Sequence, residues 1–174
     1  MLVVLAVAPA AVRADSVSDC NDSSDLGRQI RGCTKVIGRT MLGDPLSTAY
    51  MNRGIAYAQR NEMQKAVADF TSSIDANRAN NFAYYNRGNV YLDLGKPKLA
   101  IDDYSKAIEL APDMSPAFLN RGLANEMVGD KPASISDFRT ALSLEPELYA
   151  ASQGLKRLGA EPLTRAQAGA QVGE

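Results

Sequence analysis

Apolar and aromatic positions along this chain recur with two periods. At short range they fall three or four residues apart, the spacing that lines one face of a helix. At longer range the same pattern returns every 34 residues. Gly54, Gly88 and Gly122 mark the longer period, and each closes an Asn-Arg-Gly triplet: Asn52-Arg53-Gly54, Asn86-Arg87-Gly88 and Asn120-Arg121-Gly122. Ahead of each triplet stands an aromatic, Tyr50, Tyr84 or Phe118. Further on comes an aspartate followed by a second aromatic: Asp69-Phe70, Asp103-Tyr104 and Asp137-Phe138. Small and aromatic residues held at fixed offsets over such a period predict an all-α solenoid of stacked helical hairpins, since one hairpin cannot bury its apolar face alone.

The elements follow from that pattern. Residues 15–24 are polar and read as irregular. Residues 25–38 place Leu26, Ile30, Cys33 and Ile37 on one helical face, with Gly27 and Gly32 each weakening the helix by about 1 kcal/mol relative to alanine. The segment Cys33-Thr34-Lys35-Val36-Ile37 aligns with Tyr104-Ser105-Lys106-Ala107-Ile108, so the helix is expected to be the second half of an incomplete repeat. Ser47 is the expected N-cap of a first helix over 48–60, followed by a second over 62–76. Asn81 is the expected cap of the central hairpin, whose second helix starts near Lys96-Pro97 and stops before Pro112. Ser115-Pro116 reads as cap and first helical residue of the third hairpin. The glycines imply close helix approach, with Ala66 and Ala100 the expected residues opposite Gly54 and Gly88. The domain reading is 1–14 signal peptide, 15–46 capping half-repeat with a disulfide, 47–148 three repeats, 149–160 capping helix, and 161–174 a disordered tail.

Charge and composition narrow the chemistry. A formal net charge of -1 supplies no basic field for nucleic acid or an anionic membrane surface. The chain has no histidine, which removes the commonest general base and metal ligand. No acid pair falls out of step with the repeat and no glycine-rich phosphate loop is present, so no catalytic constellation, cofactor site or metal site can be assembled. The opening run MLVVLAVAPAAVRA ends in the small-x-small site Val12-Arg13-Ala14, like the core and cleavage site of a secretory signal. It is too short for a membrane span. Export to the periplasm or outside the cell is the expectation, with cleavage after Ala14; the alternative is an N-terminal segment of a cytosolic protein. Cys20 and Cys33 are the only cysteines. An even pair in an exported chain suggests one disulfide, worth about 3 kcal/mol by loop entropy. The other reading is two free thiols.

The arginines and aspartates recur in step. Arg53, Arg87 and Arg121 with Asp69, Asp103 and Asp137 can pair between the two helices of each hairpin, or the arginines can form a ladder for anionic ligands.

With these motifs in place, the hairpins resemble tetratricopeptide repeats. The family's aromatic, glycine and tyrosine of the first helix match Tyr50, Gly54 and Tyr57, then Tyr84, Gly88 and Tyr91. Its alanine, aromatic, alanine and proline match Ala100, Tyr104, Ala107 and Pro112. Departures are arginine for the usual leucine before each glycine, Ser73 and Arg78 in the first unit, and Asn125 and Ser134 in the third, which are expected to mark irregular packing. The chain is similar to small exported repeat proteins of Gram-negative bacteria. The resemblance implies a right-handed superhelical solenoid that binds a protein or peptide without catalysis, in a groove lined by the first helices. Residues placed there are Met51, Asn52, Ile55, Tyr85, Asn86, Asn89, Leu92, Leu119, Asn120 and Leu123. A structural or self-assembling protein of the envelope is the alternative, with the chain itself as partner. Some members clamp a chaperone's carboxylate tail; Asn89 matches one clamp residue, whereas Tyr85 and Leu119 stand where lysine or another polar residue is wanted.

Overall fold

Among the residues that the computed structural model describes, 10–39 and 42–161, with side chains from Asp15 onward, the chain forms nine α-helices and no strand. They are α1 (Ala10–Asn21), α2 (Leu26–Ile37), α3 (Asp44–Gln59), α4 (Met63–Ala76), α5 (Asn81–Asp93), α6 (Pro97–Leu110), α7 (Ser115–Val128), α8 (Lys131–Leu144) and α9 (Tyr149–Arg157). They fall into two compact units that divide after Arg78. In the first, α1 packs on α2, α2 on α3 and α3 on α4, and α1 also touches α3. In the second, successive helices from α5 to α9 pack in order, while α5 touches α7 and α7 touches α9. Most of the expected signal peptide, residues 1–9, and the expected tail from 162 onward lie outside the described residues.

Three hairpins share one turn. Asn61, Gly95 and Gly129 each adopt a left-handed backbone, φ 61°, 66° and 82°. That region costs glycine nothing and asparagine little. The amide that follows each left-handed residue then reaches back into the helix's last turn: Glu62 N–H donates to Tyr57 O, Lys96 N–H to Tyr91 O and Asp130 N–H to Asn125 O, at 2.8 to 2.9 Å. This closes orphan carbonyls as in a Schellman-type stop.

The small residue of each first helix faces an aromatic ring, not an alanine. A Cβ built on Gly54 would meet Phe70 Cε1 at 2.9 Å, one on Gly88 would meet Tyr104 Cε1 at 2.8 Å, and one on Gly122 would meet Phe138 Cδ1 at 2.8 Å. Phe70, Tyr104 and Phe138 are the largest fully buried side chains. Ala66 and Ala100 are buried as well, but the glycine's space is taken by the ring sixteen positions on. Phe138 is clasped from both sides, since a Cβ on Gly154 of α9 would meet its Cε2 at 2.4 Å. Around it Ala141, Ala151 and Leu155 complete the core beneath α9.

The caps differ from expectation by a few residues. Helix α3 begins at Asp44, with Pro45 in its first turn after Gly43, so Ser47 lies inside the helix. Its buried hydroxyl donates to Ser73 O at 2.9 Å, and Ser73 Oγ donates to Ser47 O at 2.8 Å. Ser73 is therefore a built polar tie between α3 and α4. Ser115 likewise is the first residue of α7, and its hydroxyl turns to Ala141 O and Glu145 Oε2, at 3.4 and 3.3 Å. The cap of α5 is Asn80, whose Oδ1 accepts from Ala83 N–H, one residue ahead of the expected Asn81. In the third hairpin Asn125 and Ser134 are satisfied too: Asn125 Nδ2 donates to Asp137 Oδ2 at 2.9 Å, and Ser134 Oγ to Gly122 O at 2.8 Å. These positions hold hydrogen bonds where irregular packing was expected.

The largest difference is at the N-terminal end. Residues up to Asn21, read as irregular from Asp15, continue a helix, and the expected cleavage point after Ala14 falls within it. Among the described side chains of α1, from Asp15 onward, the buried positions are Ser16 and Cys20, a pair four apart with exposed Val17 between them. Helix α2 likewise buries Gln29, Gly32 and Cys33, while Leu26, Ile30 and Ile37 are only half-buried. Gly32 has a packing role, because a Cβ there would meet Asp19 Cβ at 2.6 Å and Cys20 N at 2.7 Å. The sulfurs of Cys20 and Cys33 lie at disulfide distance, 2.06 Å, with the Cα atoms 4.4 Å apart.

Candidate functional site

The three arginines of the triplets are each held by the aspartate sixteen positions on. Arg53 Nε and Nη2 donate to Asp69 at 2.7 and 2.8 Å, Arg87 to Asp103 at 2.8 and 2.7 Å, and Arg121 to Asp137 at 3.0 and 2.7 Å. The aspartates are buried, and such two-pronged pairs need that geometry to offset desolvation. The hydrogen bond to Asp69 holds the Arg53 guanidinium even more firmly charged, as that to Asp103 does for Arg87. Burial nonetheless raises the Asp103 carboxyl above its ordinary range, against the pull of Arg87. Aromatic rings stack over the cations: Tyr50 and Tyr57 on Arg53, Tyr84 and Tyr91 on Arg87, and Phe118 on Arg121. Arginine in place of the usual leucine thus forms the centre of an ion-paired, ring-covered layer, and the pairing occupies the charge that an anion ladder would need.

The residues placed in a groove divide between the two units. In the second unit Tyr85, Asn89 and Leu92 stand on α5 and Leu119, Asn120 and Leu123 on α7, all half-buried. A hydrogen-bond network joins the two helices: Asn120 Nδ2 donates to Asn89 Oδ1 at 2.9 Å and to Tyr85 Oη at 3.3 Å, and the buried Tyr104 hydroxyl donates to Asn89 Oδ1 at 2.8 Å. Burial raises the Tyr104 phenol well above its ordinary value, so it stays a neutral donor. The rings of Tyr85 and Tyr104 lie 5.9 Å apart, tilted by 50°. With its Oδ1 engaged twice, Asn89 keeps its amide N–H groups as donors, and Tyr85 keeps its hydroxyl proton. Leu119 and Leu123 pack on the Phe138 core, and Tyr85 and Leu92 on the Tyr104 core. Asn86 turns to its own helix, donating to Phe82 O at 2.8 Å.

In the first unit, Met51, Asn52 and Ile55 stand half-buried on α3. Asn52 donates to Cys20 O at 3.3 Å and to Asn21 Oδ1 at 3.0 Å, so α1 stands beside α3 as α5 stands beside α7. Arg53 Nη1 also reaches Thr34 Oγ1 at 3.0 Å, as Arg121 Nη1 reaches Ser105 Oγ at 3.1 Å. These matched contacts make α1–α2 a complete hairpin in repeat geometry. The Cys20–Cys33 link replaces the glycine-on-ring contact.

Phe82 was not singled out by the sequence pattern. It is 55% exposed and lies three residues before Tyr85, on the same helical stripe as Asn89 and Leu92. Extending that stripe by one turn would have found it. Among the described residues there is no cluster of acids or cysteines that could hold a metal ion, and no helix long and apolar enough to cross a membrane.

Comparison with known proteins agrees with the geometry. Sequence profiles of the tetratricopeptide repeat match residues 47–80 and 82–114. The chain is similar to the Arabidopsis OM64 TPR domain, with 34% identity over 65% of this chain and 93% of that one and a TM-score of 0.63, against 0.62 for the next example. That example is the second TPR domain of human RPAP3 in complex with the HSP70 peptide SGPTIEEVD, at 30% identity over 64% and 93% of the two chains. MamA from Desulfovibrio magneticus RS-1 aligns over 86% of this chain and 82% of its own, with TM-score 0.76 and 21% identity, a likeness of fold alone. No match is found among curated proteins. The chain belongs to the tetratricopeptide repeat family, an all-helical fold that serves generally as a non-catalytic scaffold.

Proposed function

We propose that this protein is an exported, non-catalytic scaffold that holds a protein or peptide partner along α5 and α7. The carrying observation is the network of Tyr85, Asn89 and Asn120. It fixes three polar side chains, two of them, Asn89 and Tyr85, with donors to spare, between the apolar flanks of Leu92, Leu119 and Leu123, with exposed Phe82 at one end. Such a face suits an extended segment that inserts apolar or aromatic side chains and offers its backbone carbonyls to the asparagine and tyrosine donors. The fold neighbours support the class of partner, since the RPAP3 TPR domains are bound to chaperone peptides ending in EEVD. The face itself argues for a different peptide. Tyr85, Asn89, Leu92, Leu119, Asn120 and Leu123 include no cation to meet a run of carboxylates, so an apolar segment is the better fit. Export to the periplasm or the exterior is supported by the opening apolar run and the cysteine pair.

The test compares wild-type and Tyr85→Ala/Leu119→Ala baits on an envelope fraction. Proteins lost with the variant are then measured as purified pairs by calorimetry. Loss of a defined partner at unchanged helicity is expected. Equal capture by both baits overturns the assignment of this face, and a second copy of the chain as the only species lost would establish self-assembly instead.

A further inference from the structure

The three hairpins treat their arginine alike except in one place. Arg53 lies between the rings of Tyr50 and Tyr57, 5.6 and 6.0 Å from their centroids, and Arg87 lies between Tyr84 and Tyr91, at 5.8 and 5.9 Å. Arg121 has Phe118 at 5.6 Å on one side. At the second tyrosine's position it has Asn125, whose amide is drawn to Asp137. Beside Arg121 and Asn125 lies a cavity of about 280 Å³, lined also by Ile101, Ser105, Ala133 and Ser136. The protein fills the equivalent place with its own phenol in two hairpins and leaves it open in the third.

We infer that this cavity is a binding site for the ring of a small phenol supplied from outside. The guanidinium is fixed by its two bonds to Asp137 and by Ser105, so its face is presented without further ordering. A cation held in that way attracts the negative face of a ring. Ile101 and Ala133 supply apolar contact for the ring, and the Ser105 and Ser136 hydroxyls offer partners for a phenol's oxygen. The volume falls at the small end for ligand pockets, which suits one ring and not a larger molecule. The cavity shares no residue with the α5–α7 face, so the inference stands whether or not that face binds a partner.

The experiment titrates the full chain with p-cresol, and separately with cyclohexanol as a non-aromatic alcohol of similar size, following amide and Arg121 Nε–H shifts by NMR. Saturable shifts at Ser105, Arg121, Ala133 and Ser136 are expected with p-cresol in the millimolar range, with at least several-fold weaker binding of cyclohexanol. Asn125→Tyr should abolish them by supplying the missing ring, and Asp137 would keep its two bonds from Arg121 as Asp69 and Asp103 do. Should that variant not fold, Ser136→Trp at the exposed rim tests the same point by blocking entry. Absence of saturable shifts, equal binding of the two alcohols, or p-cresol binding that survives the folded blocking variant would each overturn the inference.

Discussion

A methyl group on Gly88 has no room, since it would sit 2.8 Å from the Cε1 atom of a ring with no exposed surface. Gly88→Ala gains about 1 kcal/mol of helix propensity but forces the Tyr104 ring or the α5–α6 spacing to shift, and overpacking of this kind costs about 1 to 3 kcal/mol. A net loss of stability in urea unfolding is the expected outcome, where an exposed helix glycine would show a gain. Asp137 offers the second residue-scale test. It accepts from Arg121 twice and from Asn125 once, so Asp137→Ala leaves a semi-buried cation and a buried amide without their acceptor. About 3 kcal/mol of destabilisation is expected, at the lower end for a broken buried pair because Arg121 keeps Ser105 and some solvent. Unfolding curves that move by less than a third of this would show that the pair is screened.

At the scale of the element, the terminal helices depend on different bonds. The described part of helix α1, from Asp15 onward, buries Ser16 and Cys20, and is held on α2 by the Gly32 contact and the Cys20–Cys33 link. Cys20→Ser/Cys33→Ser should lower stability by about 3 kcal/mol, and hydrogen exchange should rise first in α1 while α5 to α8 keep their protection. Helix α9 is seated by Leu155 and Gly154 on the Phe138 core, with an exposed clasp from Arg157 Nη2 to Glu126 Oε2 at 2.7 Å. The hydrogen bond from Arg157 lowers the Glu126 carboxyl below its ordinary range. A carboxylate so lowered stabilises the fold above the unfolded value, and that contribution is lost as pH falls through the folded one. Arg157→Ala should therefore cost about 0.5 kcal/mol near neutral pH. The difference from wild type should shrink in thermal melts as the pH is taken below the ordinary glutamate range.

For the whole molecule, the export reading makes a test of its own. If the chain is cut after Ala14, intact mass of the protein recovered from the envelope should begin at Asp15 and be lower by about 2 mass units than the reduced form, with Ser16 and Cys20 retained to hold the shortened α1. An uncut or dithiol species as the main form would overturn it. Most of the architecture was legible in advance because a fixed period carries the glycine, the ring and the charge pair together, and each of these has one physical use in a helical hairpin. What was not legible depended on which partner a residue meets in space. The spacing revealed that Gly54 and Gly88 permit close approach, but not that a ring sixteen positions on would fill the gap. Ser47 and Ser115 carry the usual signature of caps, yet their hydroxyls tie two helices together inside the core. The N-terminal helix was hidden from Asp15 onward because its described buried positions, Ser16 and Cys20, stand among polar neighbours. At the candidate site, the residues on α5 and α7 were named from the repeat pattern, while the Asn89–Asn120 bond and the exposed Phe82 required coordinates.

The exchange of contacts in the N-terminal hairpin, α1–α2, has a consequence for how the protein matures. A ring set against a glycine forms wherever the chain collapses, because water alone drives it. The link between Cys20 and Cys33 forms only where two electrons can be handed to an acceptor. Among the described residues, the N-terminal hairpin is therefore the part whose completion waits on an oxidant, so that a chain held in a reducing compartment would carry finished repeats behind an unfinished front end.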